Sequence, residues 1–116
     1  MSLDVALVFD IDTGNPEVSE TADVYEFNIT HNLGAMAKEA QLYNVMWRPD
    51  ESSIKEAGEL VGHLQFGLGL LRANPKHFKK LNPKNGRGDY DYLVKTVNNY
   101  LLACKKYPKA RIEVSR

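Results

Sequence analysis

Near the start of the chain an apolar run ends in two carboxylates, Ala6-Leu7-Val8-Phe9-Asp10-Ile11-Asp12, followed by Thr13-Gly14. Two aspartates spaced this way at a strand end can do phosphoryl-transfer chemistry: the first attacks phosphorus and the second moves the proton. Such a site also needs a Ser/Thr and a Lys to hold the phosphoryl group, and an acidic pair for Mg²⁺. Lys84 and the pair Asp89 and Asp91 supply matching pieces. Three features argue against their assembly. Thr13-Gly14 reverses the Gly-Thr order of Asp-x-Asp-Gly-Thr phosphatases, so the backbone would turn differently over a phosphate. The alternate face of the strand carries Asp4, Asp10 and Asp12, which suits one-sided burial rather than a parallel strand covered on both faces. Strand segments are few and do not alternate with helices. A calcium loop fails as well, because the segment from Asp10 lacks a third ligand before its glycine and a glutamate at the twelfth position. A hydrolase built on Asp10 and Asp12, or on His31, is therefore the least favoured function, and no residue is assigned a catalytic role.

His31, His63 and His77 share no metal-ligand spacing, and neither a metal nor a cofactor is expected. His63 lies opposite an apolar stripe and reads as a surface residue. His31 and Asn32 follow a strand and open a helix; with Trp47 and Arg48 they form a candidate functional cluster. Cys104 falls on an apolar helical stripe and reads as a core residue, not a nucleophile. As the only cysteine it has no intramolecular partner, which fits a reducing compartment.

The second candidate site is basic. Arg72, Lys76, Lys79, Lys80, Lys84 and Arg87 follow one another with no acid between Glu59 and Asp89. Gly86-Arg87-Gly88 leads into a helix start, where free amides, the helix dipole and a guanidinium would cradle an anion. Tyr90 and Tyr92 would offer stacking surface for bases. Asp89 opposes this by placing a carboxylate where the anion would sit, and no nucleic-acid fold signature accompanies the patch. Net charge is zero, but residues 1–37 hold seven acids and no Lys or Arg, whereas residues 72–111 hold eleven bases and two acids. The expectation is that these segments face each other, within one fold or between copies.

Three segments alternate with period two and predict half-buried strands: Leu3 to Ile11, Tyr25 to Ile29, and Ala110 to Val114. A first helix is expected from a Thr30 or Asn32 cap to about Tyr43. A second is expected from Pro49-Asp50-Glu51 to about Arg72, with Ile54, Ala57, Val61, Leu64, Leu68 and Leu71 on its apolar face. Its Gly58, Gly62, Gly67 and Gly69 each disfavour a helix by about 1 kcal/mol relative to alanine and need a reason. A short helix follows Asn74-Pro75, and Asp89 caps a last one that Tyr107-Pro108 stops. The fold class is α+β: one domain of 116 residues, order β-β-α-α-(α)-α-β, with a small antiparallel sheet of the two N-terminal strands and the C-terminal strand. Three main helices cover one face. No apolar run approaches the roughly 18 residues that span a bilayer. Asp4, with no early Lys or Arg, speaks against a signal peptide. A cytoplasmic location is expected, without membrane association.

The strings Asn28 to Ala40, Tyr43 to Glu51, Asn82 to Val94 and Ala110 to Arg116 resemble a group of short bacterial and phage-associated proteins with no established activity. The shared elements are Thr30-His31-Asn32-Leu33, Trp47-Arg48-Pro49 and Asn85-Gly86-x-Gly88. The resemblance spans most of the chain from residue 26 and implies an accessory or interaction protein, phage- or prophage-derived, rather than a metabolic enzyme. It lends no functional residues. The favoured expectation is a small non-enzymatic protein that binds a protein partner or itself; the alternative is an anion or nucleic-acid binder through residues 72–87.

Overall fold

The computed structural model describes residues 1–116. Strand β1 (Ser2–Ile11) lies between β2 (Glu20–Thr30) and β3 (Arg111–Ser115), and both pairings are antiparallel. The alternation in β1 works as expected: Leu3, Val5 and Leu7 are buried, while Asp4 and Asp10 are exposed. Asp4 pairs with Asn28 and Ser115, and Ala6 pairs with Glu26 and Glu113, so the uncovered face is polar and acidic. The helices cover the other face, as an α+β domain requires. Val8 departs from the pattern. It lies on the face opposite Leu7 yet is buried, beside a bulge in the β1–β2 register, with Asp23 and Arg111 as its cross-strand neighbours.

The helical layer is more broken than the periodicity predicts. Thr30 is the cap: its Oγ1 accepts from the Asn32 amide and starts a 3₁₀ turn ahead of α1 (Gly34–Glu39). Gln41 then adopts φ 59°, and a separate helix, α2 (Tyr43–Trp47), begins where the sequence suggests a helix end. The expected helix from Pro49 to Arg72 is the main correction. A 3₁₀ turn covers Pro49–Ser52, and Ser53 takes a left-handed conformation at φ 59°. The chain then extends alongside β3. Glu56 bridges Arg111, Ile112 donates to the Lys55 carbonyl, and Ala57 donates to the Ala110 carbonyl. The true helix, α3 (Val61–Ala73), starts only after a second 3₁₀ turn at Ala57–Leu60. Helical spacing of Ile54 and Ala57 misleads because a distant sheet edge claims the backbone of Lys55, Glu56 and Ala57.

Helix α4 (Pro75–Lys79) is capped by Asn74, and α5 (Tyr90–Lys106) by Asp89, whose Oδ1 accepts from the Tyr92 amide at 2.8 Å. Gly67 lies against Leu42 and Gly58 against Pro108, whereas Gly62 and Gly69 face open space. The core joins Leu3, Leu7, Ile29, Trp47, Leu64 and Tyr100 in one cluster. Cys104 belongs to it, and burial pushes its thiol up to about 12. At neutral pH it therefore stays protonated and unreactive. Native protein at pH 8 is expected to resist an aromatic disulfide reagent, reacting only after denaturant is added; rapid labelling of native protein would refute this.

Beyond an edge-to-face contact of Phe9 with Tyr107, β1 and β2 continue as a bare two-stranded arm. Every residue from Asp10 to Thr21 is exposed apart from half-buried Thr13, and the molecule is 53 Å long but only 27 by 22 Å across. The arm's tip is tied together by its own side chains. Asp12 accepts from the Gly14 amide, Asn15 accepts from Glu17, and the Thr13 hydroxyl bonds Asn15 and Val18.

Candidate functional site

Two of the sequence-selected groups become spatial neighbourhoods, and they differ in character. In the first, the Trp47 indole Nε1–H donates to Nδ1 of His31 at 2.9 Å. An indole nitrogen is only a donor, so His31 accepts through Nδ1 and carries its neutral-ring proton on Nε2. Trp47 is buried and stacks on Tyr43 with ring centroids 5.4 Å apart. The Lys38 ammonium lies 4.7 Å from the centre of the Tyr43 ring. Together with Arg48 and Arg116 these side chains line a hollow of about 390 Å³.

The two arginines are already committed. Arg48 pairs with Glu51, and its proton is held more tightly by hydrogen bonds to Tyr43 and Glu51. Arg116 grips both oxygens of Asp50 at 2.8 and 3.2 Å and donates to the Trp47 carbonyl at 2.9 Å. The Arg116 hydrogen bonds to its carboxylate hold Asp50 below its ordinary range. His31, Trp47 and Arg48 thus come together, whereas Asn32 is exposed and does not line the hollow. Lys38, Tyr43 and Arg116 escaped the sequence reading. Only Tyr43 had a signal, its aromatic ring four residues before Trp47 on one helix face.

In the second neighbourhood Arg72, Lys76, Lys79, Lys80, Lys84 and Arg87 are all at the surface, and none is ion-paired with a carboxylate. Their contacts are weak: Arg72 reaches the Asn98 amide oxygen at 3.5 Å, and Lys79 lies 5.6 Å from the Tyr90 ring centre. The expected backbone cradle at Gly86-Arg87-Gly88 is not open. The Arg87 amide donates to Asn85, the Tyr90 amide to Asn82 and the Tyr92 amide to Asp89. Side chains of the loop itself have taken these three of the donors that an anion would use. Tyr90 is buried, its hydroxyl bonded to the Leu71 carbonyl, so it offers no stacking surface. Tyr92 is 45% exposed and donates to the Asn28 carbonyl on the free edge of β2. What remains is a set of exposed cations, suited to a broad acidic surface more than to one bound phosphate.

The acidic and basic segments do not neutralise each other within the fold. Of the seven acids in residues 1–37, only Asp10 ion-pairs with a base from residues 72–111, namely Arg111 at 3.0 Å. Geometry explains why. Tyr92 meets Asn28, and Gly88 packs against Thr30 and Leu33, so the loop before α5 sits at the root of β2. The arm leaves from the opposite end of the sheet, past Tyr107 at the end of α5. The acidic arm and the bases of residues 72–87 thus lie at opposite ends, while Lys105, Lys106 and Arg111 lie near the arm's root.

No helix is long and apolar enough to cross a membrane. In comparisons with protein-family models, with curated proteins and with solved structures, nothing matches this chain.

Proposed function

We propose that this is a non-enzymatic binding protein that engages an acidic partner through the bases of residues 72–87. The observation that carries this reading is the set of six cations, contiguous in sequence, exposed, and without a carboxylate partner in the fold. Uncompensated cations of this kind raise the local concentration of acidic partners and speed encounter with them. An acidic polypeptide suits the patch better than nucleic acid. Asp89 and Asp91 stand beside Arg87 in sequence, and α4, the helix bearing Lys76 and Lys79, has only five residues to offer a groove. Cysteine usage and the resemblance to phage-associated chains support a cytoplasmic accessory role.

Polyglutamate, duplex DNA and single-stranded RNA, each titrated at 50 and 200 mM salt, test the reading. Polyglutamate is expected to bind with strong salt dependence, and Lys79→Glu with Lys80→Glu should weaken that binding at least tenfold. Tighter, salt-sensitive binding of DNA or RNA would replace the acidic-polypeptide reading with a nucleic-acid one. No salt-sensitive binding to any of the three would overturn both.

A further inference from the structure

The arm carries the complement of the basic pole. Asp12, Glu17, Glu20 and Asp23 are exposed on it, and none has an ion-pair partner. Two large apolar side chains, Ile11 at 44% and Val18 at 45% exposure, sit among them. At the other end of the molecule Tyr92, equally exposed, borders a hollow of about 320 Å³ together with Arg87 and Gly88. Acidic side chains with apolar companions at one pole thus match basic side chains with an exposed aromatic at the other.

We infer that the acidic arm of one copy docks on the Arg72–Arg87 pole of a second copy, so that the protein associates head to tail. This rests on the reading that the basic pole takes an acidic partner, and it names that partner. Pairing of two arms through the free edge of β2 is the obvious symmetric alternative. It would lay the acids Glu20, Asp23 and Glu26 of one copy along those of the other, and like charges across strands are unfavourable. Docking within one chain is ruled out by the separation of the poles. Each copy offers one arm and one pole, so association closes as a reciprocal dimer or a larger ring, or grows as an open chain. Because the attraction is between exposed charges, it weakens as salt rises.

Sedimentation velocity over a range of concentrations at 20 and 500 mM salt tests the inference, with one variant per pole. The parent is expected to show a mean mass that rises with concentration at low salt and collapses to the monomer at high salt. Glu17→Lys with Glu20→Lys cancels the charge of the four arm acids but keeps the basic pole, and Lys79→Glu with Lys80→Glu cuts the pole's six positive charges to a net of two but keeps the acidic arm. Each alone should weaken association at least tenfold, and mixing them should restore it. Far-UV circular dichroism confirms that the surface variants are folded. A parent that stays monomeric at low salt, or an arm variant that associates as the parent does, would overturn the docking. Restoration failing on mixing would overturn it too. Polyglutamate separates the two claims, since the arm variant keeps its basic pole. If polyglutamate binds that variant while the parent stays monomeric, self-docking alone falls; if it does not bind, the acidic-partner reading falls as well.

Discussion

Trp47→Ala is expected to lower the free energy of unfolding by about 3–5 kcal/mol, the cost of emptying a large aromatic site in a packed core. Trp47 is 1% exposed, stacks on Tyr43, and lies between α1 and the segment that Arg116 ties down through the Trp47 carbonyl. Trp47→Phe separates packing from hydrogen bonding. It keeps a ring in the site but removes the only donor bonded to Nδ1 of His31, at an expected cost of about 1–3 kcal/mol. His31→Ala leaves the indole N–H without its partner and should cost a similar amount. The double variant Trp47→Phe with His31→Ala should then cost less than the sum of the two, because the shared bond can be lost only once. Urea unfolding followed by far-UV circular dichroism measures all four, since fluorescence disappears with the single tryptophan. Strict additivity would show that the 2.9 Å contact contributes nothing to stability.

The second large effect is a pair of opposite sign within α3. Gly67→Ala should destabilise by about 1–3 kcal/mol, an overpacking cost. The added Cβ would fall inside the Leu42 side chain and lie 3.0 Å from the Ala40 carbonyl oxygen. Gly69→Ala should stabilise by up to about 1 kcal/mol, because nothing lies within 4 Å of its Cβ position and alanine is the better helix former. For a domain this size, 1 kcal/mol shifts Tm by roughly 4 °C, so thermal scans resolve both signs. Equal effects of the two substitutions would refute the close approach of α3 to the α1–α2 junction. In the sequence these glycines are indistinguishable, two residues apart in one helix. Leu42, which separates their roles, is 25 residues away.

Local physics was readable from the residues alone. The alternation of Leu3, Val5 and Leu7 with Asp4 and Asp10 predicts a strand with one wet face, and β1 has one. Asp89 before an amphipathic stripe predicts an N-cap, and Tyr107-Pro108 predicts the stop of α5. Cys104 on the stripe predicts a buried, inert thiol. The cap and the stop rest on interactions within a turn of the backbone, and the strand face and Cys104 on a local spacing of apolar residues that the common core then buries.

What failed to show in the sequence depended on partners far away along the chain. Ile54 and Ala57 have helical spacing, but the chain around them is held to the edge of β3 by bonds to residues more than 50 positions on. The amides of this loop and helix start read as free donors until Asn85, Asn82 and Asp89 take those of Arg87, Tyr90 and Tyr92. His31 and Trp47 were selectable by type, yet only folding puts Nε1 on Nδ1 and adds Lys38, Tyr43 and Arg116 around them. The charge imbalance was plain in the sequence, but its meaning was not. Composition determines that the first third is acidic and that residues 72–111 are basic. The tertiary structure decides that the bases of residues 72–87 sit at the end opposite the acidic arm. Lys105, Lys106 and Arg111 lie near the arm's root, where Arg111 makes the single ion pair between the two segments, to Asp10. The physical reason is distance: an attraction between exposed charges fades within about 10 Å at 0.1 M salt. Sheet register and core packing therefore hold the two poles of a 53 Å molecule apart.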